Sequence, residues 1–329
     1  MTRAAVAGWG VGLPEGRLTN AALERLVDTT DEWIVERTGI RERRIAAAGE
    51  TTASLGVEAG AAALKQAGIT PDDVDLLVVA TTTPEQPIPQ TSAFVHEGLG
   101  LRCGAFDVGV GCAGFVYALV AGSMFLVGGG LERVLVVGAE TLSRILDYTD
   151  RQTCVLFGDA AGAVVLRAAR GEDPPGLLAW DLGCDGSAKD LIRMRGGGSR
   201  LPTSAATVAA GEHSVKMEGS EVFRRAVRSA VASASTTLER AGVKPAEVDL
   251  FVPHQANVRI IAAAAQRLGF GPERVAVNVD RYGNTSAASV PLALTEAAEA
   301  GRLNDGDLVL LTAIGAGMAW ASALLRWGE

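Results

Sequence analysis

One segment of this chain occurs twice. Ala62–Val79 reads AALKQAGITPDDVDLLVV and Thr236–Pro253 reads TTLERAGVKPAEVDLFVP, identical at Leu64/Leu238, Ala67/Ala241, Gly68/Gly242, Pro71/Pro245, Val74/Val248, Asp75/Asp249, Leu76/Leu250 and Val78/Val252. In each copy the pattern predicts a helix ending at a glycine, a proline-led turn, and a short buried strand. A second pair follows at almost the same offset: AFDVGVGC (Ala105–Cys112) and VNVDRYGN (Val277–Asn284) each read as a strand, a glycine and a helix of small residues. A third, RVLVVGAE (Arg133–Glu140) and DLVLLTAIG (Asp307–Gly315), reads as a buried strand near the end of each copy. Repeats that keep both residue type and chain order imply two similar α/β halves packed about a pseudo-twofold axis. We place the halves at residues 1–170 and 171–329, with residues near 170 to 215 as an irregular connection.

The 329 residues are enough for two such halves, and a chain 48% hydrophobic and 21% charged belongs with ordinary globular proteins. A net charge of −8 disfavours nucleic acid as a partner, because duplex binding requires a basic face. Cys103, Cys112, Cys154 and Cys184 show no metal-ligand spacing, and the first residues carry neither a basic stretch nor a long apolar run. The expectation is a reduced, cytoplasmic protein without a metal. Val108–Leu131 carries no charge and is long enough to cross a bilayer, but the glycines at 128–130 end the helix that starts near Cys112. That leaves the length of a buried core helix, so no membrane partner is expected.

Sites in open α/β sheets form at strand ends. The repeat makes Cys112 and Asn284 equivalent, so they should meet across the pseudo-axis, and His254 follows the strand Val248–Pro253 on the same rim. Cys112 lies at a strand-to-helix corner between glycines, where helix N–H groups favour a thiolate and a carbonyl can approach closely. A neutral His254 imidazole and the Asn284 carboxamide could donate to a developing oxyanion. The same three residue types could equally form a thiol hydrolase in which the histidine deprotonates the sulfur. Spacing alone does not separate the two.

Seven motifs in order, TTDEWIVERTGI (29–40), FDVGVGCAGF (106–115), FGDAAGA (157–163), MEGSEVF (217–223), PHQANVRII (253–261), YGNTSAAS (282–289) and GRLNDGDLVLL (301–311), make the whole chain resemble the thiolase-fold condensing enzymes. The nearest type is the β-ketoacyl-acyl-carrier-protein synthase III family, which starts type II fatty acid synthesis. The resemblance implies a five-layered α-β-α-β-α arrangement in a homodimer needing no metal or redox cofactor. It implies that Cys112 takes an acyl group from acyl-CoA, and that His254 and Asn284 bind the thioester oxygen of malonyl-acyl-carrier protein as carbon dioxide leaves. The resulting carbanion would attack the acyl-Cys112 carbonyl.

By the same matching, Trp33 and Arg151 would sandwich the CoA adenine, with Thr29 and Arg37 nearby and Ser220 and Asn257 along the pantetheine arm. The carrier protein is acidic, so Arg224, Arg225, Arg228 and Arg259 are the candidate docking patch. Ile88, Leu191, Ile192, Met194, Met217 and Met318 are candidates for shaping the acyl pocket, with Ile88 crossing into the partner subunit. The chain departs from the family pattern at Ile314-Gly315-Ala316-Gly317, where Phe-Gly-Gly-Gly is usual. Ile314 lacks an aromatic face, and the Cβ of Ala316 could restrict φ in the oxyanion hole. This departure leaves room for a second reading, transfer of the acyl group to a hydroxyl or amine without condensation. A third, a non-catalytic partner subunit, is opposed by the presence of Cys112.

Overall fold

The computed structural model describes residues 1–328. The main strands are β1 (Thr2–Gly12), β2 (Leu76–Ala80), β3 (Gly104–Val108), β4 (Arg133–Thr141), β5 (Asp159–Arg170), β6 (Gly176–Cys184), β7 (Leu250–Pro253), β8 (Leu308–Gly315) and β9 (Ala319–Arg326). The helices that matter for the site are α1 (Asp31–Thr38), α2 (Thr52–Gln66), α3 (Thr91–Leu99), α4 (Gly114–Val127), α5 (Gly219–Ala241), α6 (Val258–Leu268) and α7 (Ser289–Glu299). One sheet has the order β1-β5-β4-β2-β3 and the other β6-β9-β8-β7. Four strands of each sheet correspond in order and direction: β2/β4 and β7/β8 are parallel, and the next two pairings in each sheet are antiparallel, while β3 adds a further parallel strand beside β2 in the first sheet.

The repeated aspartate shows why the two copies fold alike. The Asp75 carboxylate accepts the backbone N–H groups of Glu132 and Arg133 at 2.8 and 2.9 Å, and the Asp249 carboxylate accepts that of Leu308 at 2.8 Å. Each pins the start of its parallel pair, β2 to β4 and β7 to β8. The preceding helices, α2 and α5, are followed at Gly68 and Gly242 by left-handed φ values of 66° and 67°, which glycine adopts without Cβ strain.

Stacking follows from which faces are apolar. Helices α2 and α3 cover the outer face of the first sheet, α4 and α7 lie between the sheets, and α5 and α6 cover the second, giving five layers. In α4, Phe115, Val116 and Leu119 are fully buried, each contributing about 1.5–3 kcal/mol by leaving water. Packing between two sheets explains a helix apolar on all sides. Among the described residues no helix is long and apolar enough to cross a membrane.

Two sequence expectations are corrected. The segment near 170 to 215 is not wholly irregular, because it contributes β6, the outer strand of the second sheet. The predicted strand at Val277–Asp280 is absent: the fifth position of the second sheet is reduced to a single bridge, Phe251 to Val275, and Val279–Tyr282 is a helical turn. Side-chain demands override β propensity there. The buried Asn278 is held by two donated hydrogen bonds, its backbone N–H to Gln255 Oε1 at 2.9 Å and its Nδ2 to Glu296 Oε2 at 2.8 Å.

Candidate active site

Cys112 is delivered by the turn from β3 into α4. Gly111 holds φ at 55°, and a Cβ there would lie 2.8 Å from the Ala316 nitrogen. On the opposing turn after β8, a Cβ on Gly315 would lie 2.7 Å from the Cys112 nitrogen and 2.8 Å from the Val110 oxygen. The two turns therefore interlock backbone to backbone, and neither tolerates a side chain. Gly111→Ala should lose about 1–2 kcal/mol from the left-handed backbone alone, with more from the clash, and should slow alkylation of Cys112. Unchanged melting and unchanged alkylation would contradict this.

His254 stands at the end of β7, its N–H donating to the Thr312 oxygen at 2.7 Å. Its Nδ1 lies 2.5 Å from the Ser289 hydroxyl at the start of α7. Asn284 is held through its backbone between Leu156 and Gly158 at 2.8 and 3.0 Å. Its side-chain oxygen accepts the Ser286 N–H at 2.8 Å. With that oxygen engaged, the carboxamide NH2 is the group left to donate. Cys112, His254 and Asn284 line one cavity of about 890 Å³. His254 and Asn284 are each only 7% exposed, so the opening available to them is narrow.

Burial governs the electrostatics. It pushes the Cys112 thiol up to about 11, outweighing the hydrogen bonds from Ser286 and Asn284 that favour the thiolate, and the Glu140 carboxylate acts in the same direction as burial. Burial therefore works against the helix N-terminus, which the sequence suggested would favour a thiolate. Burial alone pushes His254 from 6.5 down to about 3, so the imidazole is neutral at physiological pH. An unfolded chain binds that proton more tightly, so this contribution to stability is present above pH 6.5 and is lost as pH falls toward 3. Wild type should lose about 1.4 kcal/mol more per pH unit below 6.5 than His254→Gln, measured by urea unfolding; parallel pH curves would contradict it.

The distal end of the cavity begins at α1. Thr30 caps this helix by accepting the Trp33 N–H at 3.1 Å, and the fully buried Ile34 anchors it. Trp33 and Arg37, one helical turn apart, share a face. The guanidinium groups of Arg37 and Arg151 lie 4.7 and 5.1 Å from the Trp33 ring centre. Trp33, Arg37, Arg151, Ser220 and Asn257 all line the cavity. Asn257 also caps α6, accepting the Arg259 N–H at 2.8 Å and donating to the Arg37 oxygen at 3.0 Å. Thr29 is not among the cavity residues, and its hydroxyl is buried without a hydrogen-bond partner.

The four arginines are divided between two depressions: Arg224 and Arg259 line the cavity, whereas Arg225 and Arg228 line an adjoining one. Arg225 is also engaged by Glu221 at 2.7 Å and Asp185 at 2.8 Å, and Arg224 pairs with Glu221. Of the suggested pocket residues, Ile192, Met194, Met217 and Met318 line the cavity, Leu191 packs behind with Met318, and Ile88 is 83% exposed away from it. Ile314, Gly315 and Ala316 line the cavity as well. The backbone strain feared at Ala316 is absent: the positive φ of this turn, 129°, falls on Gly317.

Three residues near the site were not singled out from the sequence. Ser289 touches His254, and Ser286, at φ 48°, is the one non-glycine in the left-handed region among the described residues. Glu140 is a fully buried carboxylate at the end of β4 that accepts N–H groups from Thr82 and Thr83 at 3.1 Å and from Ala287 at 3.4 Å. It ties the turn after β2 to the turn after Asn284. Ser286 and Ser289 lie inside the YGNTSAAS motif, so the motif itself was their signal. Among the described residues no group of three or more His, Cys, Asp or Glu side chains is placed to hold a metal.

Comparison with known proteins gives the same picture along the whole chain. Residues 106–186 match the family model for 3-oxoacyl-[acyl-carrier-protein (ACP)] synthase III, and residues 238–327 match the model for its C-terminal part. A beta-ketoacyl-[acyl-carrier-protein] synthase III of Roseiflexus sp. (strain RS-1) is 49% identical over 325 residues, covering 98% of each chain. The crystal structure of 3-oxoacyl-[acyl-carrier-protein] synthase III from Aquifex aeolicus VF5 is 45% identical, with a TM-score of 0.90 over 98% of this chain and 100% of that one. The priming beta-ketosynthase of the R1128 polyketide biosynthetic pathway is 36% identical, with a TM-score of 0.90 over 99% of this chain and 96% of that one. With this identity sustained over nearly its full length, the chain belongs to the 3-oxoacyl-[acyl-carrier-protein] synthase III family.

Proposed function

We propose that the protein loads an acyl group from acyl-CoA onto Cys112 and condenses it with malonyl-acyl-carrier protein, releasing carbon dioxide and forming 3-oxoacyl-carrier protein. The observation that carries this reading is the shared cavity, in which a sulfur at a helix N-terminus meets two neutral donors, His254 and Asn284. Decarboxylation leaves an enolate oxygen whose charge grows in the transition state, and neutral donors held in a site that excludes water stabilise such charge most effectively. Acyl transfer to sulfur needs the thiolate, and the hydrogen bonds from Ser286 and Asn284 and the helix N-terminus are the groups that favour it at Cys112.

The same cavity suits the rest of an acyl-CoA. Its outer end offers the Trp33 face and the Arg37 and Arg151 guanidinium groups for a planar base and its phosphates. Ser220 and Asn257 line the path inward for the pantetheine amides. Ile192, Met194 and Met217 give the acyl chain an apolar, deformable wall. The family membership supports a carrier-protein co-substrate, a homodimer and a cytoplasmic setting without a metal or redox cofactor. The role of starter in fatty acid or polyketide synthesis follows from the relatives' names.

The deciding experiment uses an acyl-CoA and malonyl-carrier protein labelled in the free carboxyl. Label released as carbon dioxide in step with 3-oxoacyl product supports condensation. Acyl transfer to a hydroxyl or amine with no released label would replace it. For docking, Arg259 is the better-placed candidate: it lies at the cavity, its guanidinium 5.6 Å from the Phe223 ring, and no acidic side chain among the described residues pairs with it. Arg259→Glu should raise KM for malonyl-carrier protein roughly tenfold, the scale of a ~1.4 kcal/mol loss, and leave acyl-CoA loading unaltered. Equal effects on both substrates would remove the docking role.

A further inference from the structure

The turn behind Cys112 has little of its own to hold it in place. Between β8 and β9 the chain runs Gly315-Ala316-Gly317-Met318, and the pairing of the two strands stops at Gly315 and Ala319. Two of these four residues are glycines, with no side chain to anchor them. Yet this turn lies backbone to backbone against Val110, Gly111 and Cys112. A displacement of the turn therefore reaches the peptide that carries the sulfur.

Its anchor is Asp185, the residue after β6. The Met318 N–H donates to the Asp185 oxygen at 3.1 Å, and the Asp185 N–H donates to the Met318 oxygen at 2.8 Å. This exchange carries the β6–β9 ladder one step past the pairing of Cys184 with Ala319. Asp185 is fixed in turn by its side chain. One carboxylate oxygen accepts the Ser187 N–H at 3.0 Å and the Ser187 hydroxyl, and the other accepts Arg225 Nη1 at 2.8 Å. Arg225 reaches across from α5 already oriented, because its Nε donates to Glu221 Oε1 at 2.7 Å one helical turn away. A planar guanidinium sets the angle between two carboxylates, which a rotating ammonium does not. Beside this polar link, Ala226 of α5 packs with Met318 and Ala188. Helix α5 supplies Ser220, Val222 and Ala226 to the cavity wall, and the turn supplies Gly315, Ala316 and Met318. The spacing of helix and turn thus sets the cavity's width beside Cys112.

We propose that Arg225 is a positioning residue: through Asp185 and Met318 it ties α5 to the turn behind Cys112 and holds the backbone on which the sulfur is mounted. This role rests on the condensing function proposed above and deepens it. It also separates Arg225 from the carrier-protein contact that its charge suggested. The Arg225 and Asp185 side chains are 28% and 41% exposed, so solvent screens the tie and its effect is modest. Both half-reactions use the same sulfur, so both should feel its loss.

Arg225→Met keeps much of the side chain's length and removes the tie. Hydrogen–deuterium exchange reads the turn itself: a peptide spanning Ile314–Trp320 should exchange faster in Arg225→Met than in wild type, while one from β4 should not change. Unchanged exchange at the turn, or an equal rise in both peptides, would overturn the proposal. Single-turnover loading of Cys112 and carbon dioxide release should each slow about three- to fivefold, with KM for malonyl-carrier protein unaltered. A raised KM with normal loading would make Arg225 a docking residue and overturn the positioning role. The double variant Arg225→Met, Asp185→Ala should load no more slowly than Asp185→Ala alone, since both changes cut one tie; multiplied losses would count against it. Unchanged exchange together with normal carbon dioxide release would sink this inference and leave the condensing reading standing. Faster exchange at the turn in a protein that releases no carbon dioxide even as wild type would do the reverse.

Discussion

Cys112→Ala should accept no acyl group from acyl-CoA and should make no 3-oxoacyl product. The sulfur is the atom to which the acyl group must be bonded, and the other cysteines are in the wrong places: Cys154 is buried, Cys103 is half-buried, and neither lines the cavity. Cys184 is exposed but also lies outside it. Intact mass after incubation with acyl-CoA should show the adduct in wild type and none in the variant. The loss is of a bond, so it should be complete within detection. Slow decarboxylation of malonyl-carrier protein should survive, because the groups that meet the enolate are untouched. An undiminished adduct in Cys112→Ala would mean that another residue carries the acyl group.

His254→Ala and Asn284→Ala should divide the two half-reactions the other way. Each removes one neutral donor aimed at the enolate, a loss of about 2–4 kcal/mol, or roughly 30- to 1,000-fold in condensation. Acyl loading should be nearly intact in both, because burial pushes His254 down to about 3 and so makes it a weak base for the thiol. Single-turnover loading followed by intact mass, and carbon dioxide release from labelled malonyl-carrier protein, separate the steps. If loading collapses in His254→Ala as it does in Cys112→Ala, the imidazole is the sulfur's base, and the hydrolase-like arrangement regains its standing.

The architecture was legible because its repeat is chemical as well as textual. Asp75 and Asp249 do the same job in both halves, catching the first N–H groups of the neighbouring strand, and a job that specific keeps its residue. The lost fifth strand was not legible, because VNVD has strand-like alternation and its helical turn depends on Gln255 and Glu296, distant in sequence. The burial that raises the Cys112 thiol was not legible for a related reason. A helix N-terminus can be read from glycines, but the protein that surrounds the sulfur cannot.

The division of the arginines was not legible, since Arg225 is drawn to Asp185, distant in sequence, and with Arg228 lines a different depression from Arg224. Ser289 lay in plain view within a quoted motif. Its contact with His254 came only with the fold, which brings it against an imidazole 35 residues away.

Peptide mapping of the acyl-enzyme tests the central claim most directly. After incubation of wild type, His254→Ala and Asn284→Ala with one acyl-CoA, digestion under conditions that preserve thioesters should place a single acyl group on the peptide containing Cys112 in all three. An acyl group found on the Cys184 or Cys103 peptide, or on no cysteine at all, would contradict the account of this cavity as the site where both half-reactions occur.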